Sequence, residues 1–260
     1  DDLKITLPEK NVTAVIDTWN AAKKTTATET EDEAAKRIET ENTNLHQALI
    51  AVSTTYTQIM VEIKHRLNLL PPGAAMAGIY SLVDSTRGVW KSPANVSLSM
   101  VNSPAVNIWH EEQEKMNIDA VTGKSINAIR PFPGIGSLVW GARTLDGNSQ
   151  DWRYINVRRT MIMIEQSLKL ACRAYVFEPN DANTLVTIKN MMNNFLNNLW
   201  KQGALAGAVP EQAFDVQVGL GATMTPTDIL DGLLLVTVKL AIVRPAEFIV
   251  LTFQQQQQQS

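Results

Sequence analysis

The stretch LVWGARTLDGNSQDWRYINVRR, residues 138–159, decides how this chain is read. A turn-forming cluster, RPFPGIG at 130–136, precedes it, and the short apolar run over 137–141 reads as a strand buried on both faces. DGNSQ then supplies residues that hydrogen-bond their own backbone and tolerate tight turns. After the turn the apolar period becomes helical: Ile155, Ile162, Leu168 and Cys172 fall near one face of a helix expected over about 154–173. Arg153, Arg158 and Arg159 form a basic cluster at its entry. A planar guanidinium suits a bidentate carboxylate contact, within the chain or to a neighbouring subunit. The stretch holds no Ser-His-Asp arrangement, metal cluster or phosphate loop.

Toward the C-terminus, residues 174–177 are a short strand candidate closed by Glu178-Pro179. Asn180 or Asp181 can cap a second helix, whose apolar stripe is Leu185, Ile188, Met192, Phe195, Leu196 and Leu199 and whose end is set by Gly203. Asparagines crowd its other side, either a solvated face or a docking face using amide hydrogen bonds. The period then falls to two. Phe214, Val216 and Val218 mark a half-exposed strand. TPTDILDG is a turn or short helix. Leu234, Val236, Val238, Leu240 and Ile242 line one face of a long strand, and Arg244-Pro245 breaks it. A second strand is expected over 247–253, followed by six glutamines. Two such strands near a chain end are an exposed edge unless something covers them.

Toward the N-terminus, apolar residues recur from Ile38 through Leu45, Leu49, Tyr56 and Ile63 to Leu67, predicting one long amphipathic helix over about 30–68. Pro71 and Pro72 end it, because proline cannot donate and restricts the residue before it. The domain division is therefore 1–69, a partial N-terminal region with the long helix, and 70–260. Residues 73–90 read as a short helix or compact loop.

Composition narrows function. At 260 residues, with 45% hydrophobic and 19% charged residues, the chain has ordinary globular content. A net charge of −3 argues against nucleic acid as a partner. No apolar run approaches a membrane span, so no direct membrane insertion is expected. The opening DDLKITLPEK lacks a secretory signal, and a start at Asp1 instead of Met fits a processed or truncated beginning. Cys172 alone cannot form an internal disulfide. His46, His65 and His110 share no ligand geometry, and HEEQEK at 110–115 lacks the second histidine of a zinc helix. Gly123-Lys124-Ser125 imitates the end of a phosphate loop, but Ile118 stands where glycine is required. Gly134 and Gly136 lack the third glycine of a dinucleotide fingerprint. No catalytic, metal or cofactor-binding residue is expected, and an enzyme reading finds no acid, base and nucleophile to work with.

An ordered series of strings resembles the tail sheath proteins of contractile injection systems, the family shared by contractile phage tails, R-type bacteriocins and phage tail-like particles. The series is LPPGAAMAGIY at 70–80, STRGVWKSPAN at 85–95, residues 126–130, LVWGARTL at 138–145, DWRYINVRR at 151–159, YVFEPND at 175–181, FLNNLWKQGALAGA at 195–208 and RPAEFI at 244–249. Leu185, where tryptophan would be expected, and the glutamine run depart from the pattern. The resemblance implies a mixed α+β core, the C-terminal part of a longer protein, with a central sheet flanked by helices and a C-terminal two-strand element for strand addition between subunits. It implies no cofactor and no enzyme, but a structural subunit that polymerises with itself as stacked six-fold rings in a helical tube and contracts. Its implied partners are the inner tube protein, the baseplate and the tail-terminator or cap proteins. The particle would assemble in the bacterial cytoplasm. A sheath-fold adaptor in baseplate or cap is the alternative. On this footing Leu234, Val236, Val238, Phe248, Val250 and Phe253 are expected to hold an inter-subunit sheet, Arg153, Arg158 and Arg159 to enter inter-subunit ion pairs, and Lys189, Asn193, Asn197 and Lys201 to face the tube.

Overall fold

A computed structural model describes residues 10–22, 30–119 and 121–252. They fall into two compact units that divide between Pro71 and Pro72. The first unit is helical: α1 (Lys10–Ala22), α2 (Glu31–Val52) and α3 (Thr54–Asn68). Helix α2 opens with Thr30 and Glu33 in the capping-box positions, and the Glu33 carboxylate accepts from the Thr30 amide at 3.1 Å. The single helix expected over 30–68 is broken at Ser53. That residue takes an extended conformation (φ −121°, ψ 113°), and its hydroxyl accepts from the Tyr56 amide at 3.2 Å. The apolar period runs on through the break, but Ser-Thr-Thr at 53–55 offers the backbone a cap in competition with helix continuation. A hydrogen bond of 2.8 Å between His46 Nδ1 and the Tyr56 hydroxyl spans the break.

The second unit is mixed α+β. In chain order it contains α4 (Pro72–Arg87), β1 (Val96–Ser97), α5 (His110–Asn117), β2 (Ala128–Phe132), β3 (Gly136–Trp140), α6 (Ile155–Cys172), α7 (Ala182–Lys201), α8 (Pro210–Ala213), β4 (Phe214–Val218), α9 (Pro226–Leu230) and β5 (Val236–Leu240). In place of one central sheet there are two small antiparallel ones, ordered β1-β3-β2 and β4-β5. Strand β3 is central, and its Ser137, Leu138 and Val139 are all buried, as a strand covered on both faces requires. Half of the 130–136 turn cluster is strand. Pro131 sits in β2, where an edge position tolerates its missing amide.

The principal core lies where α6 and α7 meet the β4-β5 sheet. Ile164 and Leu168 from α6 pack with Ile188, Met192, Leu196 and Leu199 from α7 and Val216 from β4. The α7 steps of four, four and three keep one stripe inward, and each such side chain contributes about 1.5–3 kcal/mol on burial. Asp181 Oδ1 caps α7 by accepting from the Thr184 amide at 2.8 Å. The strand candidate at 174–177 is a single 3-10 turn, Arg173–Tyr175. It continues α6 and has no strand beside it to pair with.

Candidate functional site: the root of the C-terminal arm

Strand β5 pairs with β4 in the register Val216↔Val238. The Ala241 amide donates to the Ala213 carbonyl at 2.8 Å. Antiparallel ladders alternate, so Lys239 and Thr237 direct their backbone groups toward β4, and Val236, Val238 and Leu240 direct theirs to the opposite edge. No strand covers that edge among the described residues.

After β5 the chain is held at three points by side chains from the 143–156 segment. Asn156, 1% exposed, donates through Nδ2 to the carbonyls of Trp90 and Val243, both at 3.0 Å, and accepts from the Ser92 hydroxyl at 3.1 Å. Asp151 pairs with Arg244 at 3.2 Å, an exposed contact worth little. Arg143, only 6% exposed, grips Glu247: Nε lies 2.9 Å from Oε1 and Nη2 lies 2.7 Å from Oε2. A buried guanidinium is tolerated only when paired and hydrogen-bonded. Nη1 donates to the Asn117 carbonyl at 2.9 Å, and the Arg143 backbone exchanges two bonds of 2.8 Å with the Asn127 amide. The Tyr154 hydroxyl donates to Glu247 Oε2 at 3.0 Å. Burial, and then the Glu247 carboxylate, hold that phenol above its ordinary value.

Beyond Glu247 the chain changes character. Phe248, Ile249, Val250 and Leu251 are 67%, 80%, 87% and 72% exposed. No hydrogen bond or ion pair ties residues 248–252 to the rest of the described chain. Over residues 247–252 no strand forms, because a strand exists through its partner and none is offered among the described residues. An apolar arm with both faces hydrophobic therefore leaves a fixed root.

Residues 148–256 match the family model described as the phage tail sheath C-terminal domain. Over its C-terminal part the chain is similar to the tail sheath family. The sheath domain is similar to the tail sheath protein of Vibrio phage KVP40, 25% identical over 187 residues that cover 69% of this chain and 26% of that protein. It is also similar to the tail sheath protein of Burkholderia phage BcepMu, 28% identical over 144 residues, or 54% of this chain and 30% of that one. Among solved structures it is similar to the PVC sheath complex of an extracellular contractile injection system in the contracted state. The identity is 46% and the TM-score 0.68, over 72% of this chain and 51% of that one. The contracted helical sheath of the anti-feeding prophage gives 44% identity and a TM-score of 0.66 over the same shares. The chain thus spans about half the length of those sheath subunits and about a quarter of the Vibrio phage protein.

Within the sheath domain the anticipated residues divide. Leu234, Val236 and Val238, expected in a sheet between subunits, pack their side chains onto the subunit's own core. Their side chains are used internally, and only the backbone edge of β5 stays open. Phe248 and Val250 project from the arm, and Phe253 lies outside the described residues. Arg159 makes an internal pair, its fork on Asp84 at 2.8 and 2.6 Å and its guanidinium 5.0 Å from the Tyr80 ring. The Asp84 hydrogen bond raises the already high Arg159 pKa further. Arg153 donates to the Gly147 carbonyl at 3.1 Å, and Arg158 stacks 5.1 Å from the Trp152 ring centre, so neither is an ion pair here. Lys189, Asn193 and Asn197 line one cleft between α7 and β4, facing Glu211 and Asp215, and Lys201 lies outside it. The Asn197 Oδ1 is buried there without a partner. Sequence reasoning passed over Arg143, Tyr154, Asn156 and Glu247. The available signal was one charge beside an apolar strand (GARTL) and one acid in an apolar segment (PAEFI).

Proposed function

We propose that this chain is the C-terminal part of a sheath subunit that polymerises as stacked six-fold rings around an inner tube, in a phage tail-like particle, and contracts to drive that tube through a target envelope. The division at residues 69 and 70 separates a partial N-terminal region from this core. The role is structural and asks no catalytic step of any residue. The exposed apolar arm after Glu247 carries the reading. Strand addition to an open edge, such as that of β5 in a neighbouring copy, would satisfy its main chain and cover its side chains. Six-fold stacking makes such contacts heterologous, so they propagate along a helix. The likeness to contracted sheath assemblies supports the same conclusion. Strand pairing that persists while subunits rotate would let the lattice widen and shorten without dissociating. The polar cleft holding Lys189, Asn193 and Asn197 is the surface proposed to meet the tube, with baseplate and cap proteins at the ends.

Electron microscopy of the full-length protein, with and without residues 248–260, tests the reading. The intact protein is expected to form tubes and the truncated one to remain soluble and unassembled. Tubes of normal length from the truncated protein would refute strand exchange, and small particles from the intact protein under every condition would refute the sheath reading. Counting copies in the native particle excludes an adaptor if this chain is among the most abundant subunits.

A further inference from the structure

We infer that Arg143, Tyr154 and Asn156 form the anchor that holds the C-terminal arm under tension, and that the arm pivots at the junction of Glu247 and Phe248, not at β5. The inference rests on the strand-exchange reading and deepens it by assigning the place where force from a neighbouring copy enters the subunit. Among the described residues, the polar contacts between the arm and the body end at 243–247: Val243 to Asn156 and, through its amide, to the Ala204 carbonyl, Arg244 to Asp151, and Glu247 to Arg143 and Tyr154. From Phe248 onward none is found in the described residues. The change is complete across one peptide unit.

The geometry suits load. Any displacement of residue 248 transmits through the Glu247 backbone to a carboxylate held by two guanidinium nitrogens and a phenol. Parallel charge-assisted bonds in a fork share shear and resist rotation, unlike a single point contact. Arg143 is itself tied by its backbone to Asn127 and by Nη1 to the Asn117 carbonyl, so the load passes into the β2–β3 side of the unit. Asn156, at the start of α6, passes the remainder to the Trp90–Ser92 loop. A neighbour pulling on the arm therefore pulls on the body of the subunit and leaves the β4-β5 sheet out of the path.

The test uses full-length protein assembled into sheaths and then triggered to contract, with Arg143→Lys, Tyr154→Phe and removal of residues 248–260 compared with wild type. Sheath length is measured by electron microscopy before and after contraction, and hydrogen exchange over 243–252 is measured in unassembled protein. Arg143→Lys keeps the charge and loses the fork. It is expected to speed exchange at 243–247 at least tenfold and to break sheaths several-fold more often per contraction event. Tyr154→Phe removes one bond and is expected to give intermediate breakage and a smaller rise in exchange at 243–247, with exchange in the α6–α7 core unchanged, which a general loss of stability would not produce. Should Arg143→Lys fail to assemble, Tyr154→Phe carries the test alone. Sheaths of both variants, or of Tyr154→Phe alone, that contract at wild-type lengths would overturn the anchor, provided that removing residues 248–260 blocks assembly. Normal assembly after that removal would instead overturn the strand-exchange reading itself.

Discussion

Asn156→Ala should be among the most damaging single changes in the sheath domain, although no charge or large apolar group is lost. The side chain is 1% exposed and makes three hydrogen bonds of 3.0 to 3.1 Å. Each contributes roughly 1 kcal/mol net, and each buried partner left unsatisfied costs about 1–3 kcal/mol. Ser92 is buried too, at 6% exposure, so water cannot readily replace the amide. Taking the lower part of that range for the three partners gives about 3–5 kcal/mol, against a total stability on the order of 5–15 kcal/mol. With a urea slope of about 2 kcal/mol per molar, the unfolding midpoint of the 260-residue chain should fall by about 2 M with the slope unchanged. Asn156→Asp sharpens the test. It keeps the oxygen facing Ser92 but turns the donor toward Trp90 and Val243 into a charged acceptor. Burial and two carbonyls must raise that carboxyl above its unfolded value of about 3.9. A raised folded pKa means stability is retained below the unfolded value and lost as pH rises through the folded one. The deficit of Asn156→Asp relative to wild type should therefore be largest at neutral pH and shrink toward pH ~4. A midpoint shift below about 0.5 M for Asn156→Ala, or a deficit in Asn156→Asp that does not depend on pH, would refute the assignment of Asn156 as a buried three-way tie.

Leu196, fully buried at the centre of the α6–α7 core, should cost about 3–5 kcal/mol on truncation to alanine, read as a drop in thermal midpoint with secondary structure retained by circular dichroism. The Arg159–Asp84 pair, 30% and 26% exposed, should show a coupling of about 1 kcal/mol in a double-mutant cycle with alanine, and that coupling should fall with added salt. Tyr154 gives an alkaline signature. Its phenol lies above the ordinary value of 10.0, so its contribution is complete below that value and is lost as pH rises beyond it. The urea midpoint of wild type should drop more steeply above pH 10 than that of Tyr154→Phe, and parallel curves would remove the phenol from the clamp.

Helices α6 and α7 and strands β3 and β4 are legible in the sequence because each rests on a short-range period that the core then confirms. Ile188, Met192, Leu196 and Leu199 need only their own spacing to be recognised. The failures are of two kinds. At Ser53 a local cap overrides a period that continues on both sides, so the apolar pattern alone overestimates helix length. At 247–252 the residues have strand character, but pairing is a property of two segments, and no second one lies beside them among the described residues. The clamp was illegible for a related reason. The one local signal at Arg143, a charge beside an apolar strand, names no partner, and its role depends on Glu247, 104 positions away. The strings that carried the family likeness do contain both partners, GARTL and RPAEFI. A string can identify a family without disclosing that its two ends touch.

That separation has a consequence for how the subunit matures. A contact spanning 104 positions carries a high loop-closure cost and forms only after the intervening α6, α7, β4 and β5 have come together. Until then Arg143 has no carboxylate to meet it. A nascent chain halted before Glu247 would keep that charge unmet and stay short of its final stability. The last contact to close is thus one that joins the far end of the chain to its middle.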